Sequence, residues 1–384
     1  MSDFMLQEIQ EQPAIMSSLL KRKEIFDEFS NNLNEIKRVI FTGSGDSHCA
    51  AMGGMFGFSY LLEDISSFAL RPMELTFYRQ DMINAQSLVV GISVSGKTPR
   101  VLEALHCARA KGALIAGLTD NPNSPIADMA GELAIVTGTS PPDALEQTDY
   151  KTAEAAQYTG YHHDIAQTKT YLANIFALLL LAATWSKSKQ ALDILAELPK
   201  AVTSVVEGPI AKSIRETAEI SATRRKTPIM VGSGPNRANA LFGSYKGNEF
   251  TISPGIQEIE EYCHTQYFVT EKGTPVIFLA PEGPSLERVL EITPVLSDTL
   301  HAEPLIFTSP PPSQALPSKT IALPSSGPDY LGIPVYAAAV GLWWYYWAKT
   351  RGFDTNKFRG GVDTERYVAG SLKTIRKSQI QCPE

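Results

Sequence analysis

Hydrophobic and polar positions fall into alternating blocks along this chain. Short β-branched and aromatic runs at Arg38–Thr42, Ser87–Ile92, Ala113–Thr119 and Glu132–Thr137 are separated by stretches with helical spacing. The pattern predicts strands, with a helix from His48 onward after the first and another from about Thr98 to Ala110 after the second. A similar series follows in the second half: runs at Pro228–Val231, Pro275–Ala280, Pro304–Thr308 and Lys319–Leu323, with helices over about Ala238–Phe250 and Ser285–Leu300. Strands that alternate with helices pair in parallel, so each half predicts a parallel α/β sheet. The tripeptide GSG follows the first strand of each half, at Gly43 and Gly232, and internal duplication is the economical explanation. A long apolar helix around Ala173–Trp185 and a more polar connector reaching Arg224 place a boundary near residue 205. The expected organisation is a first domain over 1–205, a second over 206–352 and a C-terminal tail over 353–384. The aromatic helix Val335–Tyr346, which runs into Trp347, reads as core or subunit interface; a base-stacking platform would come with basic residues that this helix lacks.

Composition narrows the function classes. A length of 384 residues with 43% hydrophobic content exceeds one ordinary core and fits two domains. The formal net charge of −7 argues against a general nucleic-acid or anionic-membrane binder. Four cysteines, Cys49, Cys107, Cys263 and Cys382, stand far apart without metal-ligand or disulfide-scaffold spacing, which points to a reducing cytoplasm. The acidic N-terminus does not read as a signal peptide, and no apolar run reaches the roughly 18–20 residues of a spanning helix.

Candidate chemistry concentrates in the strand-to-helix turns. SVSGKTP, Ser93–Pro99, follows a buried strand and opens a helix. Unpaired backbone N–H groups at such a turn favour an anion, and Ser93, Ser95 and Thr98 add hydroxyl donors. Plain helix capping explains the same residues without a ligand. The matching turn GSGDS at Gly43–Ser47 tilts the balance toward a phosphate site in a strand-end crevice. It is not a Walker loop, and a dinucleotide fingerprint fails because His48 and Arg237 occupy the third glycine position of the two GSG turns. In the second half, Lys246 and Glu249 share a helix face at i,i+3. Read alone, they are a surface ion pair or an acid and base that share one substrate. His162, His163 and Asp164 read as a surface or site-edge loop rather than a metal site, since adjacent histidines point apart.

The order and spacing of QEIQEQP, GSGDS, SVSGKTP, TDNPNSPIADMAG, Thr168-Lys169, GSGPNRANALFGSYKGNEF and EEYCH resemble the SIS (sugar isomerase) family over nearly the whole chain. The resemblance is to the double-SIS isomerase portion of glucosamine-6-phosphate synthase and its stand-alone relatives. It implies two tandem parallel five-stranded α/β domains, assembled as a homodimer or larger. It also implies a sugar phosphate held in the first domain at Gly45, Asp46, Ser47, Ser93, Ser95 and Thr98, with Gln167 and Thr168 near the sugar. By the same resemblance Glu249 shuttles a proton between C1 and C2, Lys246 supports it, and His264, supplied by the neighbouring subunit, opens the sugar ring. Neither a cofactor nor a metal is called for. The synthases carry a glutamine-hydrolysing domain that starts with a cysteine; here the SIS region follows Met1-Ser2 at once, so glutamine is not the expected nitrogen donor.

Three departures stand out. The tail lysine of the synthases aligns with a glycine in Phe353–Gly361, where Lys357 or Arg359 is the candidate substitute; Asp46 replaces a threonine; and the Glu249–His264 interval is one residue shorter. The expected function is isomerisation of an amino sugar phosphate, similar to glucosamine-6-phosphate deaminase. Alternatives are a fructosamine-phosphate deglycase, a plain aldose–ketose isomerase, and a non-catalytic sugar-phosphate sensor that would not need Glu249 or His264.

Overall fold

The structure is a computed structural model that describes residues 3–33, 35–139, 165–310, 316 and 319–375. His162, His163 and Asp164 lie outside the described residues, as does Cys382. The chain forms two compact units, one of Ala14–Asp193 with Glu365–Glu384, the other of Met1–Pro13 with Ile194–Thr364. Its three breaks, after Pro13, Asp193 and Thr364, all fall inside helices, and each terminal segment groups with the sheet of the opposite half.

The N-terminal helices are α1 (Phe4–Lys21) and α2 (Lys23–Asn31). The first sheet then follows as β1 (Arg38–Gly43), α3 (Asp46–Leu61), β2 (Ser66–Leu70), α4 (Pro72–Phe77), β3 (Ser87–Ile92), α5 (Pro99–Ala110), β4 (Leu114–Thr119), α6 (Pro125–Ala130) and β5 (Ala134–Val136). Its order is β2-β1-β3-β4-β5, all parallel. β1 and β3 are apolar and buried nearly end to end, as strands covered on both faces must be. The helix α7 (Lys169–Trp185) is buried from Lys169 to Thr184 and packs on α3, so its apolar run belongs to a core. Among the described residues no helix is long and apolar enough to cross a membrane.

After α8 (Lys189–Val206) and α9 (Gly208–Thr223), the second sheet runs β6 (Ile229–Gly232), α10 (Asn236–Glu249), β7 (Gly255–Gln257), α11 (Ile259–His264), β8 (Pro275–Leu279), α12 (Pro284–Asp298), β9 (Glu303–Thr308) and β10 (Lys319–Ala322). Its order is β10-β9-β8-β6-β7, again parallel. The chain closes with α13 (Asp329–Thr350) and α14 (Thr364–Ile375). Trp343, Trp344 and Trp347 on α13 are buried and ring-packed on one another, which makes this aromatic helix core.

Each sheet holds one strand more than the hydrophobic pattern alone marks. The extra strands, β2 and β7, are edges paired on one side only and half-exposed, so neither needs a continuous apolar run. The two sheets share one feature that positions everything below. Chain direction reverses across the sheet between β1 and β3 in the first and between β6 and β8 in the second, and crevices form at the carboxyl ends of such strand pairs.

Candidate functional site

In the first sheet, Gly43 at the end of β1 is registered with Ile92 at the end of β3, so the turn Gly43–Ser47 and the loop Ser93–Thr98 leave the sheet side by side. Gly45, at φ 57, caps α3, and Asp46 and Ser47 begin it. Ser93 N donates to Leu118 O at 3.0 Å and Gly96 N to Ser93 O at 2.9 Å, folding the loop back on itself. Pro99 is the first residue of α5 and Thr98 precedes it, but the Thr98 side chain makes no capping bond. Its hydroxyl lies 2.9 Å from Ser93 Oγ instead, while Ser95 Oγ accepts from Lys97 N at 3.3 Å. The hydroxyls are therefore gathered over the turn rather than used to cap the helix.

Gly96 is required where it stands. Its φ is +65, and an added Cβ would lie 2.0 Å from Ser124 Oγ and 2.9 Å from Thr119 Oγ1. The segment Thr119–Ser124 underlies the loop: Thr119 Oγ1 donates to Val94 O at 3.1 Å, Asp120 N to Val94 O at 3.0 Å and Ile126 N to Gly96 O at 3.2 Å. Asp120 in turn accepts from Thr139 N at 2.5 Å and Thr137 Oγ1 at 3.1 Å. These supporting residues carry no signal in the sequence beyond a turn-rich DNPNSP string.

Two buried groups flank the turn. His48 on α3 is 4% exposed; burial, reinforced by the positive charge of Arg71, pushes its pKa down to about 4, so the imidazole is neutral. Tyr171 on α7, one turn beyond Thr168, is buried within electrostatic reach of Cys49 and Asp46. Burial first, and those two groups second, hold its hydroxyl protonated well above the usual range. Thr168 is buried at the start of α7, and Gln167 precedes it half-buried. Through Tyr171 the start of α7 comes to the same end of the unit as Asp46. Pattern reading missed Tyr171 because it sits in a helix that reads as uninterrupted core.

In the second sheet, Gly232 at the end of β6 is registered with Leu279 at the end of β8, the same relation as above. The chemistry differs. Ser233 Oγ donates to Glu258, whose other carboxylate oxygen accepts from Glu260 N at 2.8 Å and Glu261 N at 3.1 Å. Burial alone would raise the Glu258 pKa, but the bonds from Ser233 and the backbone N–H groups of α11 together outweigh it and hold the carboxyl below its ordinary value. The loop after β8 reads Ala280-Pro281-Glu282-Gly283-Pro284, without one hydroxyl.

Lys246 and Glu249 do share a face of α10, with Nζ 2.7 Å from Oε2. The pair is no surface ion pair, because the Lys246 side chain is 0% exposed and Glu249 only 25%. Lys246 Nζ also lies 5.0 Å from the Phe242 ring centroid. Lys246 in the last turn complements the helix dipole; Glu249, at the same negative end, depends on the ammonium beside it. The tail closes on this end of α10: Phe353 packs 5.9 Å from Phe250, next to Glu249, and stacks on Trp347. Lys357 and Arg359 belong to that tail loop, with Arg359 at φ 61 and its Nε bonded to Val362 O at 2.9 Å. His264 ends α11. Its partner is Glu260, with Nε2 3.8 Å from Oε1, and its side chain is 70% exposed. Among the described residues no group of three or more His, Cys, Asp or Glu side chains could hold a metal ion.

Comparison with known proteins gives this arrangement a context. The SIS domain family matches residues 32–182. The chain is 28% identical over 300 residues to glutamine–fructose-6-phosphate aminotransferase (isomerizing) of Pyrococcus horikoshii, covering 75% of this chain and 45% of that protein. The chain thus spans about half the length of the curated relatives it matches. Among solved structures, the C-terminal domain of glucosamine-fructose-6-phosphate aminotransferase from Francisella tularensis superposes with a TM-score of 0.73 at 18% identity, covering 92% of this chain and 97% of that one. Glucosamine-6-phosphate deaminase from Thermotoga maritima superposes with a TM-score of 0.67 at 19% identity, covering 92% and 97%. The fold with two five-stranded parallel sheets is thus shared with these neighbours over nearly the whole chain.

Proposed function

We propose, from the match of the SIS domain family to residues 32–182, that the chain is a phosphosugar isomerase that acts on an amino sugar phosphate, releasing the amine. The observation that carries an enzymatic reading is the buried Lys246–Glu249 pair at the end of α10, which a purely sugar-sensing protein would not need. The names of the relatives, an aminotransferase of fructose 6-phosphate and a deaminase of glucosamine 6-phosphate, support the substrate class.

In this reading Ser93, Ser95 and Thr98, with the N–H groups of the Gly45–Ser47 turn, hold the phosphate, and Gln167 and Thr168 face the sugar. His264 opens the ring. Glu249 removes the proton from C2 of the open aldosamine and returns it to C1, while the Lys246 ammonium favours the ionised carboxylate and the anionic intermediate. The C2 imine so formed adds water and loses ammonia, leaving the ketose phosphate; substrate plus one water balances ketose phosphate plus ammonia. His264 serves a neighbouring subunit's pocket, consistent with its 70% exposure and with the 79% exposure of Phe268 just beyond it, an apolar surface suited to a second copy of the chain.

The test is a panel of hexose, hexosamine and fructosamine phosphates assayed for ammonia and ketose. Both products from a hexosamine phosphate are expected. Ketose without ammonia from a hexose phosphate would make it a plain isomerase, and ammonia-free release of a free amine compound from a fructosamine phosphate a deglycase. Turnover of none, with tight binding, would overturn the enzymatic reading. Sharing of the site is tested by mixing Glu249→Gln with His264→Ala subunits. About half of randomly reassembled dimers are mixed, each with one intact pocket, so roughly a quarter of wild-type activity should return. No recovery after verified exchange would overturn the shared site.

A further inference from the structure

The unit that contains the second sheet has a cleft of about 500 Å3 at the amino-terminal ends of β6, β7 and β8, the end of the sheet opposite Ser233 and Glu258. Ile229 and Pro254 give it an apolar floor, and polar side chains form the rim. The run Arg224-Arg225-Lys226 treats its three cations differently. Arg224 Nε lies 2.5 Å from Glu303, and Lys226 is bonded to Glu271. Arg225, on the rim between them, has no ion-pair partner among the described residues. It is held in the left-handed region at φ 54, a conformation that non-glycine residues rarely adopt. Beside it stand the hydroxyls of Thr227 and Ser253 and the carboxamide of Gln266. Two cations against one carboxylate make this cleft positive in a chain of net charge −7. A guanidinium with hydroxyl and amide donors around it is the chemistry that receives a phosphate-type oxyanion. The apolar floor leaves room for the body of a small molecule that carries it.

The cleft is also joined to a residue with an assigned role. Gln266 and Val269, which line it, begin and end a 3-10 turn, Gln266–Val269, that starts two residues after His264. Gln266 lies against the backbone of Gly255, where a Cβ would be 2.6 Å from its Oε1, so the cleft wall and the turn are in direct contact. A ligand that engages the Gln266 carboxamide acts on the anchor of the loop that carries His264.

We propose that this cleft is an effector site for a small phosphorylated ligand, and that filling it orders the turn that follows His264. The coupling, though not the binding, rests on the role given to His264 above.

Calorimetry with inorganic phosphate is done on the Ser95→Ala/Thr98→Ala protein, in which the hydroxyl loop binds more weakly, and dependence on Arg225 identifies the cleft. Residual phosphate binding is expected, weakened tenfold or more by Arg225→Ala and largely retained by Arg225→Lys, since the exposed position tolerates both. Hydrogen exchange on the same proteins should show phosphate protecting the amides of Gln266–Thr270, and Arg225→Ala should abolish the protection. No phosphate binding in the loop-weakened protein, or equal binding by Arg225→Ala, would overturn the site. Arg225-dependent binding without protection of Gln266–Thr270 would overturn the coupling. Neither readout depends on turnover, so failure here is distinguishable from failure of the isomerase reading.

Discussion

The two sheets leave their first strands through the same tripeptide, Gly-Ser-Gly, and then do opposite things with the resulting turn. At Gly43–Ser47 the turn stands beside a loop with three hydroxyls, and among the described residues no acidic side chain from another segment bonds into them: Ser93 and Thr98 bond each other, and Ser95 Oγ accepts from Lys97 N. At Gly232–Asn236 the turn faces Glu258, which takes the Ser233 hydroxyl and two helix N–H groups for itself. One crevice offers donors to an external anion, and the other has supplied its own. A parallel sheet with a reversal in strand order makes the crevice, but the side chains around it decide whether a ligand or a carboxylate of the chain fills it.

The largest effect expected from this contrast separates holding from chemistry. Glu249→Gln keeps the shape at the end of α10 and removes the base, so turnover should fall by roughly 10²–10⁴ while calorimetry still finds the sugar phosphate bound. Loss of binding in step with turnover would erase the division of labour. Next comes Gly96→Ala, which combines backbone strain with a clash against Ser124 and should lower stability by about 2–6 kcal/mol in chemical denaturation. A near-neutral result would mean that the hydroxyl loop is not clamped on the Thr119–Ser124 segment.

The two crevices should also respond differently to acid. The unfolded His48 imidazole takes up a proton below its ordinary 6.5, whereas the folded one resists until about 4, so stability is lost as pH falls through that window, by up to about 3 kcal/mol. His48→Gln should flatten the stability profile between those values. Glu258 has a folded pKa below its ordinary 4.5, so its contribution is complete above 4.5 and lost only below it. Glu258→Gln should therefore leave the profile above 4.5 parallel to wild type and diminish the loss below it. The smallest effect is expected at the donor loop: Ser95→Ala with Thr98→Ala should weaken sugar-phosphate binding by roughly 1–3 kcal/mol, while Ser233→Ala leaves it unchanged. Equal losses from both would show that the second turn is a ligand site as well.

Much of this contrast was legible before any coordinates. The twin GSG turns, the hydroxyl-rich SVSGKTP and the hydroxyl-free APEGP can be read off the chain, and so can the i,i+3 relation of Lys246 and Glu249, because helix geometry brings such residues to one face. The edge strands β2 and β7 were not marked by pattern, since a strand paired on one side and half-exposed leaves no apolar run to detect. Tyr171 was hidden for the opposite reason: one hydroxyl in a wholly buried helix looks like packing until the fold turns it toward Asp46.

Local sequence determined every element of the two sheets except the edge strands β2 and β7, their parallel pairing and the donor chemistry of the first crevice, because each follows from periodicity or from neighbours within a few residues. The burial of Lys246 was decided only in three dimensions: its side chain is 0% exposed, with the Phe242 ring 5.0 Å from its Nζ, although helix spacing alone is equally compatible with a surface pair. So was the filling of the second crevice, since Glu258 lies 25 positions from Ser233 and meets it only because β6 and β7 pair in parallel. So was the lack of an ion-pair partner for Arg225 among the described residues: its neighbours Arg224 and Lys226 find carboxylates on distant segments, and which of three adjacent cations is left over depends on where those segments end, a matter of chain path that no local pattern encodes.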